Sequence, residues 1–105
     1  LHTVLTDETR NLINAQRLAS MKKTTVLINT ARGGLIDETA LLAALKEGNI
    51  YGAGLDVFEQ EPPTDAAWYE LDNLVMGSHC SSSTAGATET MGNMAVDNLL
   101  RDLGI

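Results

Sequence analysis

Aromatic residues make up only 4% of this 105-residue chain, so any core must be built from Val, Leu, Ile, Ala and Met. Cysteine occurs once, as Cys80. That excludes an internal disulfide and makes a reducing compartment, the cytoplasm, the natural expectation. Positive charge is scarce: 7 Lys and Arg stand against 14 Asp and Glu, for a net charge of −7. This balance argues against nucleic-acid partners and against adsorption to anionic membranes. No apolar run approaches the length of a membrane span, and no signal-peptide pattern opens the chain. No His/Cys/Asp/Glu spacing resembles a metal-ligand set, so no metal site is expected. Internal repeats, low-complexity segments and linkers are also missing.

What is present is a 44% hydrophobic sequence, enough for one small packed domain. It is organised around Val26–Glu38, VLINTARGGLIDE. Val26, Leu27 and Ile28 read as a strand buried on both faces. Arg32 follows at its carboxyl end, before Gly33 and Gly34, which allow a sharp turn and close approach to a ligand. Asp37 is placed to cap a helix over Glu38–Glu47, with Gly48 as its C-terminal stop. In open α/β sheets, ligands bind outside the carboxyl ends of strands. Arg32 therefore has two readings: a planar fork for a carboxylate or phosphate, or a loop arginine in a surface ion pair.

The remaining elements follow from local signals. Leu1–Leu5 reads as the tail of a strand. Thr6–Thr9 can cap a short helix over Arg10–Ile13, and Asn14 a second over Ala15–Met21. Strands are expected at Thr25–Asn29, Ile50–Val57 and Asn73–Gly77, the first two parallel because a helix joins them. Gly52 and Gly54 form a G-x-G with no third glycine and no helix behind it, which suits close packing rather than a dinucleotide loop. Phe58–Asp72, with Pro62-Pro63, reads as an extended irregular loop pinned by Trp68 and Tyr69. Ser81–Thr84 can cap a final helix over Ala85–Leu103, whose Val96, Leu99, Leu100 and Leu103 form an apolar stripe.

Three strands thus end in chemistry. The first delivers Arg32, the second Asp56 and then Glu61, the third His79. Parallel strands bring these ends to one rim. A histidine oriented by a carboxylate suits proton transfer, and an arginine beside it suits an acidic substrate with a carbonyl. Blander readings stand beside each: a satisfied loop histidine for His79, solvated surface for Glu61, a loop cap for Asp56, and a small packed residue for Cys80.

LINTARGGLIDE, GAGLDVFEQEP and SH-x-x-x-x-T, preceded by LHTVLTDET, resemble the D-isomer-specific 2-hydroxyacid dehydrogenases across the whole chain. The pattern around His-Cys-Ser-Ser-Ser-Thr leans towards members like D-3-phosphoglycerate dehydrogenase. The resemblance implies an α/β fold: a partial Rossmann-like domain of three parallel strands with flanking helices. It implies an oxidoreductase that moves a hydride between NAD and a D-2-hydroxy or 2-keto acid, such as 3-phosphoglycerate, glyoxylate or hydroxypyruvate. NADP stays open as cofactor. By resemblance Arg32, Glu61 and His79 are catalytic: Arg32 binds the substrate carboxylate and carbonyl, His79 exchanges the proton, and Glu61 tunes His79. Thr30, Ala31, Arg32, Asp56, His79 and Ser82 would line the nicotinamide end of the cofactor.

The sequence departs from the family where Ser78 replaces a usual proline before the histidine, where Val4 replaces another, and at Cys80-Ser81-Ser82. The family's glycine-rich phosphate loop has no counterpart in residues 1–105. Residues 1–105 are therefore expected to be the carboxyl-terminal half of an NAD-binding domain cut from a longer protein, with helix 85–103 leading towards a missing substrate domain. Such a piece is expected to be inactive alone, and a homodimer in its complete form. The alternative is a non-catalytic truncated α/β module that self-associates through its exposed sheet edge.

Overall fold

A computed structural model describes residues 1–105. Three parallel strands form one sheet in the order β1-β2-β3: β1 Val26–Asn29, β2 Gly52–Leu55 and β3 Leu74–Met76. Three helices accompany them: α1 Ala15–Ala19, α2 Glu38–Lys46 and α3 Ala85–Leu103. Gly33–Leu35 and Ala66–Glu70 form short 3₁₀ turns. The fold is the expected α/β arrangement with parallel strands, each strand shorter than its expected span.

The core lies on one face of the sheet. Leu27, Ala53 and Leu55 point into it, and Leu18 of α1 with Leu41, Ala44 and Leu45 of α2 cover them. Asp37 caps α2 by accepting the Ala40 N–H at 3.0 Å, and Gly48 follows the helix at φ +67. Trp68 is buried against Phe58, ring centroids 5.5 Å apart and nearly perpendicular.

The other face is bare, which corrects the reading of β1 as buried on both sides. Val26 and Ile28 are 54% and 55% exposed, and Val75 is 75% exposed. The apolar VLI run was ambiguous because a strand buried on both faces and one awaiting a cover look alike in sequence. α3 likewise carries no buried residue and extends away from the body, giving the chain a length of 57 Å against 28 and 25 Å.

Four local expectations change. Leu1–Leu5 joins no strand. Residues 10–13 form turns instead of a helix, with Asn11 at φ +52. There the N–H groups of Asn11 and Ile13 bond Gly34 O and Leu35 O, so tertiary pairing replaces helical hydrogen bonds. α1 ends at Ala19 rather than Met21, where the Ser20 hydroxyl donates to Arg17 O. Tyr69 does not pin its loop to the core: it is 63% exposed, and its hydroxyl donates to Pro63 O within the loop.

Gly33 serves a packing role. A Cβ there would lie 2.0 Å from the Phe58 carbonyl carbon and 2.3 Å from Glu59 N. The glycine turn therefore approaches backbone from the loop after β2, not a ligand as expected. We predict that Gly33→Ala destabilises the fold by about 1–3 kcal/mol through overpacking. Gly92→Ala in α3 meets nothing within 4 Å and should stabilise that helix by about 0.5–1 kcal/mol. Urea unfolding followed by tryptophan fluorescence and far-ultraviolet dichroism separates the two effects; equal signs would contradict this account.

Candidate active site

The rim at the strands' carboxyl ends is built on Asn29, the last residue of β1 and the one fully buried polar side chain. Its Nδ2 donates to Arg32 O at 2.9 Å, and its Oδ1 accepts the Ala31 N–H at 3.1 Å. Its backbone carbonyl accepts the Asp56 N–H at 3.0 Å. One buried amide thus shapes the Thr30–Arg32 turn and ties it to the end of β2. Arg32 itself is exposed. Its guanidinium donates to Ala31 O at 2.6 Å and pairs with no carboxylate. The surface ion-pair reading of Arg32 does not hold.

Asp56 leaves β2 and accepts two backbone N–H groups, from Cys80 at 3.1 Å and Ser81 at 2.8 Å. Hydrogen bonds from Ser81, side chain first and then backbone, hold its carboxyl below the usual range, helped by Cys80 and His79. Gly77 makes this possible, because a Cβ there would sit 2.2 Å from Asp56 Oδ1. The expectation that Asp56 caps the loop that follows it is corrected: it caps the loop after β3 instead, and so fixes the segment that carries His79.

His79 adopts φ +59, a left-handed conformation that few non-glycine residues take. The Asp56 cap on the next two residues holds it there. Its Nδ1–H donates to Glu61 Oε2 at 2.7 Å. Glu61 Oε1 accepts the Phe58 N–H at 3.0 Å, so one carboxylate closes its own loop and orients the imidazole. The bond to His79, then that to Phe58, lowers the Glu61 carboxyl below its ordinary range. With Nδ1 occupied by Glu61, Nε2 is the ring nitrogen left open to another partner.

Three adjoining clefts share these residues. A polar cleft of about 300 Å³ is lined by Thr30, Arg32, Asp56, His79, Ser81 and Ser82. A second, of about 640 Å³, lies on the Glu61 side of His79 and is walled by Phe58, Pro62 and Tyr69. A third, of about 400 Å³, places His2, Val4 and Leu5 beside Ala31 and Arg32. The polar cleft therefore collects five of the six expected cofactor-side residues, with Ala31 next door. Glu61 reaches it only through His79. Cys80 lies exposed outside it, its thiol 3.9 Å from Asp56 Oδ1, and is not a packed residue.

Residues 1–81 match the D-isomer specific 2-hydroxyacid dehydrogenase NAD binding domain. The chain belongs to this family. It is 46% identical to a hydroxypyruvate reductase of Thermotoga maritima, over 100% of this chain and 35% of that protein. It is 52% identical to a glyoxylate reductase of Pyrococcus horikoshii, over 91% of this chain and 29% of that protein. The chain spans about a third of the length of these relatives. A solved Thermus thermophilus protein superposes with a TM-score of 0.85 at 48% identity, over 95% of this chain and 32% of that one. Among other solved relatives, a Lactobacillus jensenii D-lactate dehydrogenase holds NAD⁺ (TM-score 0.81, 29% identity, 92% of this chain and 33% of that one). A Xanthobacter autotrophicus member holds NADPH (TM-score 0.70, 47% identity, 74% of this chain and 26% of that one). The three parallel strands are therefore part of a Rossmann-like, NAD-binding domain.

Sequence reasoning overlooked Asn29 and Gly77 as builders of the rim, and placed Ser81 in a helix cap and, by resemblance, in a Cys80–Ser82 loop near the cofactor, without its bond to Asp56. Asn29 carried a signal, a polar residue ending an apolar run; Gly77 carried none that a single sequence reveals.

Asp56 and Glu61 are both lowered, so their stabilising bonds are fully present above the ordinary carboxylate value of about 4 and are lost as pH falls through their lower folded values. Glu38 has the opposite sign. Burial first, then the Glu59 and Glu61 charges, raises it, and its contribution is lost as pH rises through its folded value. We predict that the Cys80 and Ser81 amide resonances shift as pH drops below about 4. Asp56→Asn should remove that titration. Persistence of the acid shift in Asp56→Asn would show that another group controls the loop.

Proposed function

We propose that this chain is the part of an NAD-dependent D-2-hydroxyacid dehydrogenase that carries its acid/base and substrate-anchoring residues. The observation behind this reading is the 2.7 Å His79–Glu61 pair standing at the same polar cleft as an unpaired Arg32. The unpaired guanidinium suits a carboxylate with a carbonyl beside it, held by two parallel donors. His79 Nε2 gives a proton to the carbonyl oxygen on reduction and takes it back on oxidation. Glu61 holds the tautomer and favours the imidazolium that forms on oxidation.

The cleft of about 300 Å³, walled by hydroxyls, Arg32 and the Asp56 cap, fits one end of a dinucleotide rather than the whole molecule. Thr30, Ala31, Arg32, Asp56, His79 and Ser82 are assigned to that nicotinamide end. The bound cofactor, NAD or NADP, supplies or accepts the hydride. The substrate class is a small 2-keto or D-2-hydroxy acid, and its identity among glyoxylate, hydroxypyruvate and 3-phosphoglycerate is left open. We assign residues 1–105 to the carboxyl-terminal half of the cofactor domain, with α3 directed towards the substrate domain.

A cytoplasmic location is part of this reading, supported by the single, exposed cysteine. No helix is long and apolar enough to cross a membrane. A homodimer is proposed for the complete protein, and neither nucleic acid nor membrane is proposed as a partner, given the net charge of −7.

A second reading rests on the bare face of Val26, Ile28 and Val75: an inactive module that pairs with a copy of itself. Titration of NADH into the chain, read by nicotinamide fluorescence, is the first discriminating measurement. Weak or absent binding is expected from one cofactor end alone. In a dehydrogenase containing this chain, Arg32→Ala and His79→Ala should each reduce kcat/KM by at least about 100-fold, the scale of a lost proton carrier or anchor. Near-normal turnover in both variants would overturn the role assignments.

A further inference from the structure

The Glu61–His79 pair is only as well placed as the loop that carries Glu61. That loop, Val57–Glu61, is neither strand nor helix; Val57 and Phe58 bury its start, and the bond from the Phe58 N–H to Glu61 Oε1 closes it. Three further contacts fix the Phe58–Glu59 segment between them. Gly33 packs directly on the Phe58–Glu59 backbone. Arg10 Nη1 reaches Glu59 Oε1 at 2.8 Å, an exposed pair that contributes little by itself. The third comes from Glu38, first residue of α2, whose Oε1 accepts the Glu59 N–H at 2.6 Å.

The third contact is unusual in its electrostatics. Glu38 is partly buried, and the Glu59 and Glu61 carboxylates lie close enough to raise it further. A glutamate in that position costs stability when charged. Asp37 supplies the cap of α2, and Glu38 adds an acid to its first turn, a service that its charge alone performs and that needs no contact with Glu59. Its one polar partner outside α2 is the backbone N–H two residues before Glu61.

We propose that Glu38 is a positioning residue for the Glu61–His79 pair. By holding the Glu59 N–H, it sets the loop from which Glu61 reaches the imidazole. The inference deepens the proposed function and rests on its reading of that pair. It also joins the two loops of the rim. Glu38 follows the Arg32 turn by six residues, so α2 fixes Arg32's loop at its start and Glu61's loop through a side chain.

The test uses this chain, whose two histidines, His2 and His79, make imidazole nuclear magnetic resonance simple to assign. Wild type should show a downfield His79 Nδ1–H resonance and a low Glu61 carboxyl titration. Glu38→Gln keeps an acceptor and should keep both signals. Glu38→Ala should lose the imidazole resonance and let the Glu61 titration rise towards an ordinary glutamate. Glu38→Asp keeps the charge but withdraws the acceptor by one methylene, and should behave like Glu38→Ala while preserving the start of α2. A merely structural Glu38 would lower the melting temperature in these variants and move neither signal; that result overturns the proposal. Glu61→Gln separates the two levels. If it erases a resonance that Glu38→Asp retains, the positioning role alone falls. If wild type shows no such resonance, the pair and the proposal fall together.

Discussion

The rim depends on one buried amide. Asn29 is the point where a strand of the core becomes a loop of the site, and its side chain satisfies backbone groups that the turn would otherwise leave unpaired. Because its carbonyl also holds the start of Asp56, the spacing between the first and second strand ends is set inside the protein, away from solvent. Asp56 passes that constraint on to Cys80 and Ser81, and so to His79. The order runs from buried to exposed. The groups that face the clefts are held by groups that do not.

This chain of support explains how an exposed histidine can be well oriented. His79 takes a backbone conformation of the kind that costs about 1–3 kcal/mol and persists only where its surroundings determine it. The surroundings here are two hydrogen bonds from the following residues to Asp56 and one from its own ring to Glu61. Gly77 admits the Asp56 carboxylate to within a distance that any side chain would block. A strained residue, a glycine and an acidic cap together do what a buried packing environment does elsewhere.

Much of this was legible beforehand. Hydrophobic runs marked the three strands, and Asp37, Gly48 and Thr84 marked helix ends as local signals do. The convergence of Arg32, Asp56 and His79 followed from parallel strand order alone, and the family motifs named the chemistry. The turns at 10–13 were misread because their competitor, the carbonyls of Gly34 and Leu35, is more than twenty residues away. The role of Gly33 was misread for the same reason: the backbone it meets belongs to Phe58 and Glu59. Exposure of Val26 and Ile28 was hidden because sequence records a residue's affinity for a cover, not whether a cover is there.

α3 has a consequence of its own. None of its nineteen residues is buried, so its persistence is governed by its Thr84 cap, its Gly104 stop and local propensity, apart from the cooperative body. Heating should therefore give two non-coincident transitions, one for the helix and one for the sheet with its covering helices. The helix begins only six residues after His79. It is a lever joined almost directly to the imidazole, and any body that grips its apolar stripe gains mechanical access to the loop that carries His79.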